Sequence, residues 1–448
     1  MAGIFGTDGV RAHINTGPMR AEFVVRLALA AGRYFADIAA EKGKGRPLVI
    51  IGKDTRLSGY MLESALVAGF TSIGMDCRMT GPVPTAAISH LTHSMRADLG
   101  VMISASHNPH HDNGIKLFGP DGRKLADSIE QEISDLMQGS IALSAADALG
   151  RARRITNGVA RFSEFAKATF PEGLSLEGLK IVVDCAHGAA YETAPTMLKE
   201  LGAEVIAMGV EPDGLNINHD VGATAPQAMA AHVVAAGADI GIALDGDADR
   251  LILSDETGYI CTGDDVLACL AADMNADGRL QGPVVGTLMS NLGLERFLKE
   301  QMIGFERAAV GDRYVHELMR ALGSNLGGEA SGHILLPELS RSGDGMIAAL
   351  QVLAVLQKKG GKASACLRHF EPVPQKLVNL KNVDKAVLKT EAILRLLRDI
   401  EADFADEGRV VLRPSGTEPV IRVMVEALDE ARLDAAMDKL CSAIEDAG

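Results

Sequence analysis

The chain has 448 residues, which at about 150 residues per domain predicts several domains. Hydrophobic residues make up 47% and charged residues 23% of the sequence, values that argue against a disordered, collagen-like or membrane protein. The formal net charge is −15, and such an acidic chain lacks the basic surface that nucleic acid or an anionic membrane requires. We therefore expect no nucleic-acid and no membrane partner, and any phosphate ligand must meet cations that are concentrated locally.

The N-terminus and the cysteines favour a cytoplasmic protein. The opening sequence MAGIFGTDGVRAH has no basic segment followed by a long apolar stretch, so it does not resemble a signal peptide. The most apolar later stretch, residues 346–356, is too short to span a bilayer. The six cysteines are widely scattered without a CxxC pair, which indicates reduced thiols and neither a disulfide scaffold nor a zinc site.

Short apolar runs alternate with helix-length segments along most of the chain. This alternation predicts α/β architecture, in which each sheet is packed between helices. The predicted strands cover residues 47–52, 98–104, 179–184, 204–208, 238–244 and 283–289, and the predicted helices that follow the last of them cover residues 292–301 and 313–322.

The last part of the chain has a different pattern. Predicted strands at 409–412 and 420–425 flank a polar loop with no helix between them, and residues 429–447 form a predicted helix. This pattern indicates a smaller α+β unit. Boundaries near residues 155, 256 and 370 then divide the chain into four predicted domains, namely residues 1–155, 156–256, 257–370 and 371–448.

A polar loop with the sequence Ser-Ala-Ser-His-Asn-Pro, residues 104–109, directly follows the predicted strand 98–104. A serine hydroxyl in such a small-residue turn can face a cleft, and it becomes a nucleophile when a nearby base or cation activates it. His107 and Lys116 are close in sequence. From the spacing alone, a polar turn that satisfies its own backbone groups is the favoured alternative.

Three aspartates follow the predicted strand 238–244. If that strand continues, alternation places Asp245, Asp247 and Asp249 on one side, with small residues between them. Their mutual repulsion would be resolved by a hard, oxygen-ligated cation such as Mg²⁺, and a solvated acidic turn is the alternative. The next residue, Arg250, is either a structural partner of these acids or a phosphate clamp.

The sequence Gly-Gly-Glu-Ala-Ser-Gly-His at residues 327–333 is a third candidate. Its glycines let the backbone approach a ligand, and Glu329 and Ser331 offer acceptors and a donor suited to sugar hydroxyls or an amine. Taken alone, a glycine-rich turn with His333 in a structural role is the more common explanation.

The fourth candidate is the sequence Arg-Pro-Ser-Gly-Thr-Glu-Pro-Val-Ile-Arg at residues 413–422. Backbone amides near Gly416, hydroxyls of Ser415 and Thr417, and the guanidinium groups of Arg413 and Arg422 together form a predicted anion cradle. The expected ligand is phosphate, since no GK[ST] sequence indicates a nucleotide site. A β-turn with incidental cations is the alternative.

In this order, and with the opening segment FGTDGVR at residues 5–11, the four motifs resemble the α-D-phosphohexomutase family over nearly the whole chain. The resemblance implies a heart-shaped α/β protein with three related α/β domains and a smaller C-terminal α+β domain around a central cleft. It also implies an isomerase, an intramolecular phosphotransferase that interconverts glucosamine 6-phosphate and glucosamine 1-phosphate through a sugar 1,6-bisphosphate. Such a reaction supplies precursors of UDP-N-acetylglucosamine and peptidoglycan.

The resemblance assigns roles to residues motif by motif. It implies that Ser106 is the phosphorylated nucleophile and that a phosphate oxygen on it joins Asp245, Asp247 and Asp249 around one Mg²⁺ per subunit. It implies sugar contacts from Glu329 and Ser331, and distal phosphate contacts from Arg413, Ser415, Gly416, Thr417 and Arg422. The residues placed near the transferring phosphate or the proton transfers are Arg11, His107, Lys116, Arg250 and His333. Residues 310–315 resemble the sugar-specificity loop.

Other functions stay open at this stage. Within the same fold, the chain could be a phosphomannomutase or a phosphoglucomutase, because sugar discrimination depends on a few contacts. A Mg²⁺-dependent sugar phosphatase with an aspartate nucleophile and a non-catalytic sugar-phosphate sensor are alternatives of other classes. The oligomeric state is also open, with a homodimer among the alternatives.

Overall fold

The computed structural model describes residues 4–6, 8–414 and 420–447. Within these residues, four sheets follow one another along the chain, and helices pack against them. The predicted α/β fold class is confirmed. The helices of the described part include none that is both long and apolar enough to cross a membrane.

The first sheet has the strand order β1-β5-β4-β2-β3-β6, and β2, β3, β4 and β6 run parallel. Strand β5 lies antiparallel between β4 and β1. Both β2 and β4 are near-continuous apolar runs, as expected for parallel strands that are covered on both faces. The elements are β1 Val10–His13, α1 Ala21–Glu41, β2 Leu48–Lys53, α2 Gly59–Ser72, β3 Asp76–Pro82, α3 Thr85–Ser94, β4 Leu99–Ile103, β5 Asp112–Phe118, α4 Asp127–Leu136 and β6 Ala152–Arg154.

The second sheet has the order β11-β10-β9-β7-β8, in which β7, β8 and β9 are parallel and β10 is antiparallel to β9. Strand β11 pairs with β10, so this sheet extends past residue 256. The elements are α5 Gly158–Lys167, β7 Lys180–Asp184, α6 Thr193–Glu200, β8 Glu204–Met208, α7 Gln227–Ala236, β9 Ile240–Leu244, β10 Leu251–Asp255 and β11 Ile260–Cys261.

The third sheet has the order β13-β12-β14-β15, with β15 antiparallel to β14. Its elements are α8 Gly263–Ala276, β12 Val284–Thr287, α9 Leu292–Glu300, β13 Phe305–Ala308, α10 Asp312–Leu322, β14 Gly327–Gly328, β15 Ile334–Leu335, α11 Gly345–Lys359 and α12 Ala363–Leu367. One buried apolar core extends through the first three sheets and their helices.

The fourth sheet is antiparallel throughout, in the order β16-β18-β17, and it has a separate apolar core. Its elements are β16 Gln375–Lys381, α13 Glu391–Phe404, β17 Gly408–Pro414, β18 Val420–Ala427 and α14 Glu430–Ala447. Short 3₁₀ turns cover Gly17–Met19, Ala146–Ala148, Gly222–Thr224, Lys385–Lys389 and Ala405–Glu407. The domain boundaries near residues 155, 256 and 370 stay a prediction.

The polar motifs lie at equivalent points of the topology. In each of the first three sheets, a parallel strand is followed directly by its antiparallel neighbour, as β4 by β5, β9 by β10 and β14 by β15. The connections between these strands carry the serine loop (residues 104–111), the acidic loop (residues 245–250) and the sugar loop (residues 329–333). Each motif therefore lies in a loop between two adjacent antiparallel strands, beyond the ends of those strands.

Candidate active site

The serine loop holds Ser106 in a buried and unusual conformation. Its side chain is 2% exposed, and its φ of 53° lies in the left-handed region that residues other than glycine seldom adopt. The Ser106 amide donates to Ser104 Oγ over 2.8 Å, and Ser106 Oγ donates to Asp245 Oδ2 over 2.6 Å. The serine hydroxyl of the first sheet therefore faces the acidic loop of the second.

Arg56, which the sequence analysis did not select, holds the serine loop through its main-chain carbonyls. Its guanidinium is fully buried and pairs with Asp54 at 2.8 Å. It also donates to the main-chain carbonyls of Ser106 and Asn108 over 3.0 and 2.7 Å. In the sequence, Arg56 is marked only by its place in a polar run directly after the apolar strand β2. The loop that Arg56 supports is about fifty residues away along the chain.

The three aspartates converge through a turn, so the condition on which the alternation argument rested, a strand that continues, is not met. Strand β9 ends at Leu244, and Ala248 has a φ of 59°. Carboxylate oxygens of Asp245, Asp247 and Asp249 lie within 4.8 Å of one another, and all three side chains are buried. The turn achieves the clustering that the alternation of a strand was expected to provide.

This cluster fits a hard divalent cation. Asp247 Oδ1 and Asp249 Oδ1 are buried and have no hydrogen-bond partner in the described part of the chain. Burial, together with the charges of Asp249 and Asp247, raises the pKa of Asp245 to about 8. Buried carboxylate oxygens that repel one another and accept no hydrogen bond are the donor set that Mg²⁺ prefers, so these residues can hold the predicted ion.

Lys116 contacts the same cluster. Its Nζ atom lies 2.8 Å from Asp247 Oδ2, 3.1 Å from Asp249 Oδ2 and 3.2 Å from Asp8 Oδ2. Burial disfavours the ammonium, but these three acids together raise the pKa of Lys116 above its usual value. Lys116 therefore keeps its proton in this arrangement, and it can stabilise negative charge there.

A further row of charges, which the sequence analysis missed, adjoins Lys116. Asp8 pairs with both Arg11 and Lys124, and Lys124 Nζ lies 2.6 Å from Asp312 Oδ2. Burial opposes ionisation of Asp8, but Lys116, Lys124 and Arg11 hold its pKa well below the usual range. Asp8 belongs to the segment quoted for the resemblance, and Asp312 to the predicted specificity loop. The signal was therefore present in both segments, although neither aspartate was selected.

His333 lies between two acids at the end of the sugar loop. Its Nδ1 is 3.6 Å from Asp249 Oδ1, and its Nε2 is 3.5 Å from Asp312 Oδ2. Burial disfavours the charged ring, but Asp249 and Asp312 raise the pKa of His333 to about 9. The imidazolium thus links the third sheet to the acidic loop.

His107 has the opposite protonation state. Burial, with Arg250 and Arg11 nearby, lowers the pKa of His107 to about 4, so the ring is neutral near pH 7. Its Nδ1 lies 3.3 Å from Ser106 Oγ. The Arg250 side chain has no hydrogen bond or ion pair with any residue that the structure describes, and it acts on these groups through its charge.

The sugar loop contacts the predicted specificity loop. Glu329 Oε1 accepts a hydrogen bond of 3.0 Å from the Gly311 amide, and Glu329 is half-buried. Ser331 is exposed. The two loops expected to recognise the sugar are therefore joined, and Ser331 is open to a ligand.

Arg413 and Arg422 lie directly opposite each other on strands β17 and β18. The Nε atoms of both are buried without a hydrogen-bond partner among described residues. Burial and Arg422 lower the pKa of Arg413, and Glu329 of the sugar loop opposes this shift. Two facing cations of this kind repel each other unless an anion lies between them, which fits a phosphate group. The predicted residues Ser415, Gly416 and Thr417 lie outside the described residues.

Comparison with known domain families covers most of the chain. Residues 2–142, 160–258 and 262–373 match, in this order, the phosphoglucomutase/phosphomannomutase alpha/beta/alpha domains I, II and III. Residues 377–443 match the phosphoglucomutase/phosphomannomutase C-terminal domain. The four matches follow the order of the four sheets.

Similar proteins span the same length. A phosphoglucosamine mutase of Granulibacter bethesdensis is 54% identical over 444 residues, covering 98% of this chain and 96% of that protein. A phosphoglucosamine mutase of Phenylobacterium zucineum is 55% identical, covering 98% of both chains.

Solved structures share the fold. A phosphoglucomutase/phosphomannomutase family protein of Burkholderia thailandensis superimposes with a TM-score of 0.81 at 24% identity, covering 99% of this chain and 97% of that one. An N-acetylphosphoglucosamine mutase of Aspergillus fumigatus, solved with GlcNAc-6P and magnesium, gives a TM-score of 0.66 at 18% identity, covering 99% and 96%. With four matching domains and full-length relatives at more than half identity, the chain belongs to the phosphoglucomutase/phosphomannomutase family, the α-D-phosphohexomutases.

Proposed function

We propose that this chain interconverts glucosamine 6-phosphate and glucosamine 1-phosphate through phosphoserine 106 and glucosamine 1,6-bisphosphate. Its hexosamine 1-phosphate product supplies the synthesis of UDP-N-acetylglucosamine and peptidoglycan precursors. The observation that carries the proposal is the 2.6 Å hydrogen bond from Ser106 Oγ to Asp245, a member of the buried aspartate cluster in which Asp247 Oδ1 and Asp249 Oδ1 accept no hydrogen bond from any described residue. Relatives named phosphoglucosamine mutase, at 54–55% identity over the whole chain, support the choice of sugar.

Two transfers of one phosphoryl group complete the reaction. In the first, the free hydroxyl oxygen of the bound sugar monophosphate attacks the phosphorus of phosphoserine 106. The bond from phosphorus to Ser106 Oγ breaks and the bond to the sugar oxygen forms. The proton of the sugar hydroxyl passes to a base, and the released serine oxygen takes up a proton to become a free hydroxyl. The bisphosphate then reorients in the site, and Ser106 Oγ gives up its proton and attacks the other phosphorus. The bond from that phosphorus to the sugar oxygen breaks, the sugar oxygen takes up a proton, and the isomeric monophosphate leaves.

Several charged residues stabilise the negative charge of the phosphoryl transfer. Asp245, Asp247 and Asp249 would hold Mg²⁺, which when bound offsets negative charge on the transferring phosphoryl group and on the serine oxygen. Lys116 keeps its proton beside these acids and supplies further positive charge, as does Arg250, whose side chain has no partner among the described residues. Because three acids hold Lys116 in place before the substrate arrives, its charge needs little reorganisation during transfer.

The proton transfers have a geometric constraint. In an in-line displacement, the attacking sugar oxygen lies on the side of phosphorus opposite Ser106 Oγ. His107 is neutral and lies beside Ser106 Oγ, so it is suited to accept the proton of the Ser106 hydroxyl in the second transfer. The base for the sugar hydroxyl must come from the opposite wall of the cleft.

Recognition of the sugar phosphate involves the third and fourth sheets. Arg413 and Arg422 would bind the phosphate that is not being transferred, since the Nε atoms of both have no hydrogen-bond partner among the described residues. Glu329 and Ser331 would bind the sugar ring, and the effect of Glu329 on the pKa of Arg413 indicates that the two sites are close. When the bisphosphate reorients, its two phosphates exchange positions. The phosphate of either monophosphate isomer can therefore use the same contacts.

Side-by-side assays test the activity. Purified chain with Mg²⁺ and a catalytic amount of glucose 1,6-bisphosphate should isomerise glucosamine 6-phosphate more efficiently than glucose or mannose 6-phosphate. Chelation of Mg²⁺ should abolish turnover, and its return should restore it. Faster turnover of glucose or mannose 6-phosphate would assign a phosphoglucomutase or phosphomannomutase, and release of inorganic phosphate without isomerisation would assign a phosphatase.

A further inference from the structure

We propose that His13, His111 and Asp112 form a second metal site, which takes a transition-metal ion of the Zn²⁺ class. One ligand atom from each residue lies within 4.8 Å of the others. Both histidines are exposed, and Asp112 is half-buried. This cluster shares no residue with the aspartates of the acidic loop.

Strand pairing fixes the three residues together. His13 of β1 is the register partner of Asp112 of β5, and the Ile14 amide donates to the His111 carbonyl over 2.9 Å. The ring centroids of His13 and His111 are 5.1 Å apart. The cluster therefore depends on the ladder between β1 and β5, and not on a chance meeting of long side chains.

Asp112 is oriented for a shared ligand. Its Oδ2 accepts a hydrogen bond of 3.0 Å from Asn108 Nδ2, which fixes the plane of the carboxylate. Its Oδ1 lies 3.4 Å from His13 Nδ1. One carboxylate oxygen is thus anchored, and the other lies beside the His13 imidazole.

The donor chemistry separates this site from the acidic loop. Two imidazole nitrogens and one carboxylate oxygen favour Zn²⁺ or a similar ion, whereas the three aspartates offer oxygen alone and favour Mg²⁺. Ligands of a tetrahedral Zn²⁺ stand roughly 3 to 3.5 Å apart, so the side chains must close by about 1 Å, which exposed rotamers can do. Water would complete the coordination and leave the ion exchangeable.

The position of the site gives it a structural consequence. His13 lies two residues after Arg11 on one face of β1, and His111 closes the loop that carries Ser106. An ion bound by both histidines would connect strand β1, which carries Arg11, with the serine loop. This connection would restrict the motion of strand β1 relative to the serine loop.

Zinc binding to the full chain in saturating Mg²⁺ tests the proposal. Isothermal titration with Zn²⁺ should detect one equivalent, and an Asp247→Asn background should retain it because the acidic loop is not involved. His13→Ala and His111→Ala should each weaken binding at least tenfold. His219→Ala is the matched control: His219 is exposed and lies 3.8 Å from Asp220, and no further ligand joins that pair among the described residues. Its replacement should leave Zn²⁺ affinity unchanged.

Hydrogen exchange supplies a second measurement. Zn²⁺ should slow amide exchange in residues 107–112 of the wild-type chain and have no such effect in His111→Ala. The proposal is overturned if Zn²⁺ does not bind, if both histidine variants bind it as tightly as the wild type, or if Asp247→Asn removes the binding. Bound Zn²⁺ that leaves exchange unchanged would refute the link between β1 and the serine loop.

Discussion

Ser106 Oγ donates a hydrogen bond of 2.6 Å to Asp245 Oδ2, although the two residues are 139 positions apart. The serine follows a strand of the first sheet and the carboxylate follows a strand of the second, so the reacting hydroxyl is positioned by the packing of two sheets. Thr85 strengthens that packing, because its Oγ1 donates to Asp247 Oδ2 over 2.6 Å and its amide to the Asp247 carbonyl over 3.0 Å. The serine and acidic loops are therefore held together by side-chain and main-chain contacts.

Replacing Ser106 by alanine should remove covalent phosphate and lower mutase activity by more than about a hundredfold, because the nucleophile is lost. The fold should persist, because Arg56 contacts the main-chain carbonyls of the serine loop and these contacts do not depend on the Ser106 side chain. Intact mass, turnover of glucosamine 6-phosphate and thermal unfolding measure these outcomes. Ser64→Ala, an exposed change on helix α2, is the control. Retained activity, or covalent phosphate still found on the Ser106→Ala chain, would exclude this serine as the nucleophile.

The sequence was sufficient where local pattern determines structure. Strands such as β4 and β9 are continuous apolar runs, and the serine and acidic motifs follow them directly, so both elements and motifs could be predicted. Strand β14 could not be predicted, because it consists of Gly327 and Gly328, which have a low intrinsic preference for strands. These two glycines form a strand because they pair with β12 and β15.

Long-range contacts were the part that the sequence could not provide. The role of Arg56 depends on carbonyls of a loop that folds over it, and that of Asp8 on three cations brought together by the first sheet. The aspartate cluster was predicted from a continuing strand, yet a turn forms it. A short motif identified the residue types, whereas tertiary packing determined their orientation and protonation.

Replacing Arg422 by alanine should weaken sugar-phosphate binding while leaving Mg²⁺ binding unchanged. Arg422 faces Arg413 across two strands of the fourth sheet, far in sequence from the acidic loop, and its loss removes a cation from the predicted phosphate site. We expect KM for glucosamine 6-phosphate to rise about tenfold or more, and the half-saturating Mg²⁺ concentration to stay constant. Arg33→Ala, which removes an exposed arginine of α1, serves as the control. Equal losses in both constants would show that the phosphate site is misassigned.

Asp264 should make stability depend on pH. Burial raises the pKa of Asp264 to about 7 from an ordinary value of 3.8, although its Oδ2 accepts a hydrogen bond from the Asn291 amide. The folded chain then binds the proton more tightly than the unfolded chain, so this group lowers the free energy of unfolding as pH rises from about 4 to about 7. Asp264→Asn should remove that decline and be the more stable form above pH 7, by about 1 kcal/mol or more.

Urea unfolding of both proteins across that pH range measures the effect. Asp277→Asn is the control, because hydrogen bonds from Lys358 and Arg279 lower the pKa of this exposed acid. Its stabilising contribution is present above the ordinary pKa and is lost as pH falls, which is the opposite dependence. A stability difference between wild type and Asp264→Asn that is the same at every pH would contradict the assignment.

Replacing Gly343 by alanine should impair catalysis by moving His333. A Cβ atom at position 343 would lie 2.2 Å from His333 Nε2, so the buried ring must leave its place between Asp249 and Asp312. A displacement of about 1 Å in a charged catalytic cleft can cost about a hundredfold in rate, and we expect kcat to fall by about ten- to a hundredfold with little change in KM. His333→Asn should produce a similar loss without a steric clash, which separates the role of the ring from any folding defect of the glycine variant. Gly45→Ala is the matched control, because nothing lies within 4 Å of its added Cβ. An unchanged kcat in both Gly343→Ala and His333→Asn would show that His333 has no part in the reaction.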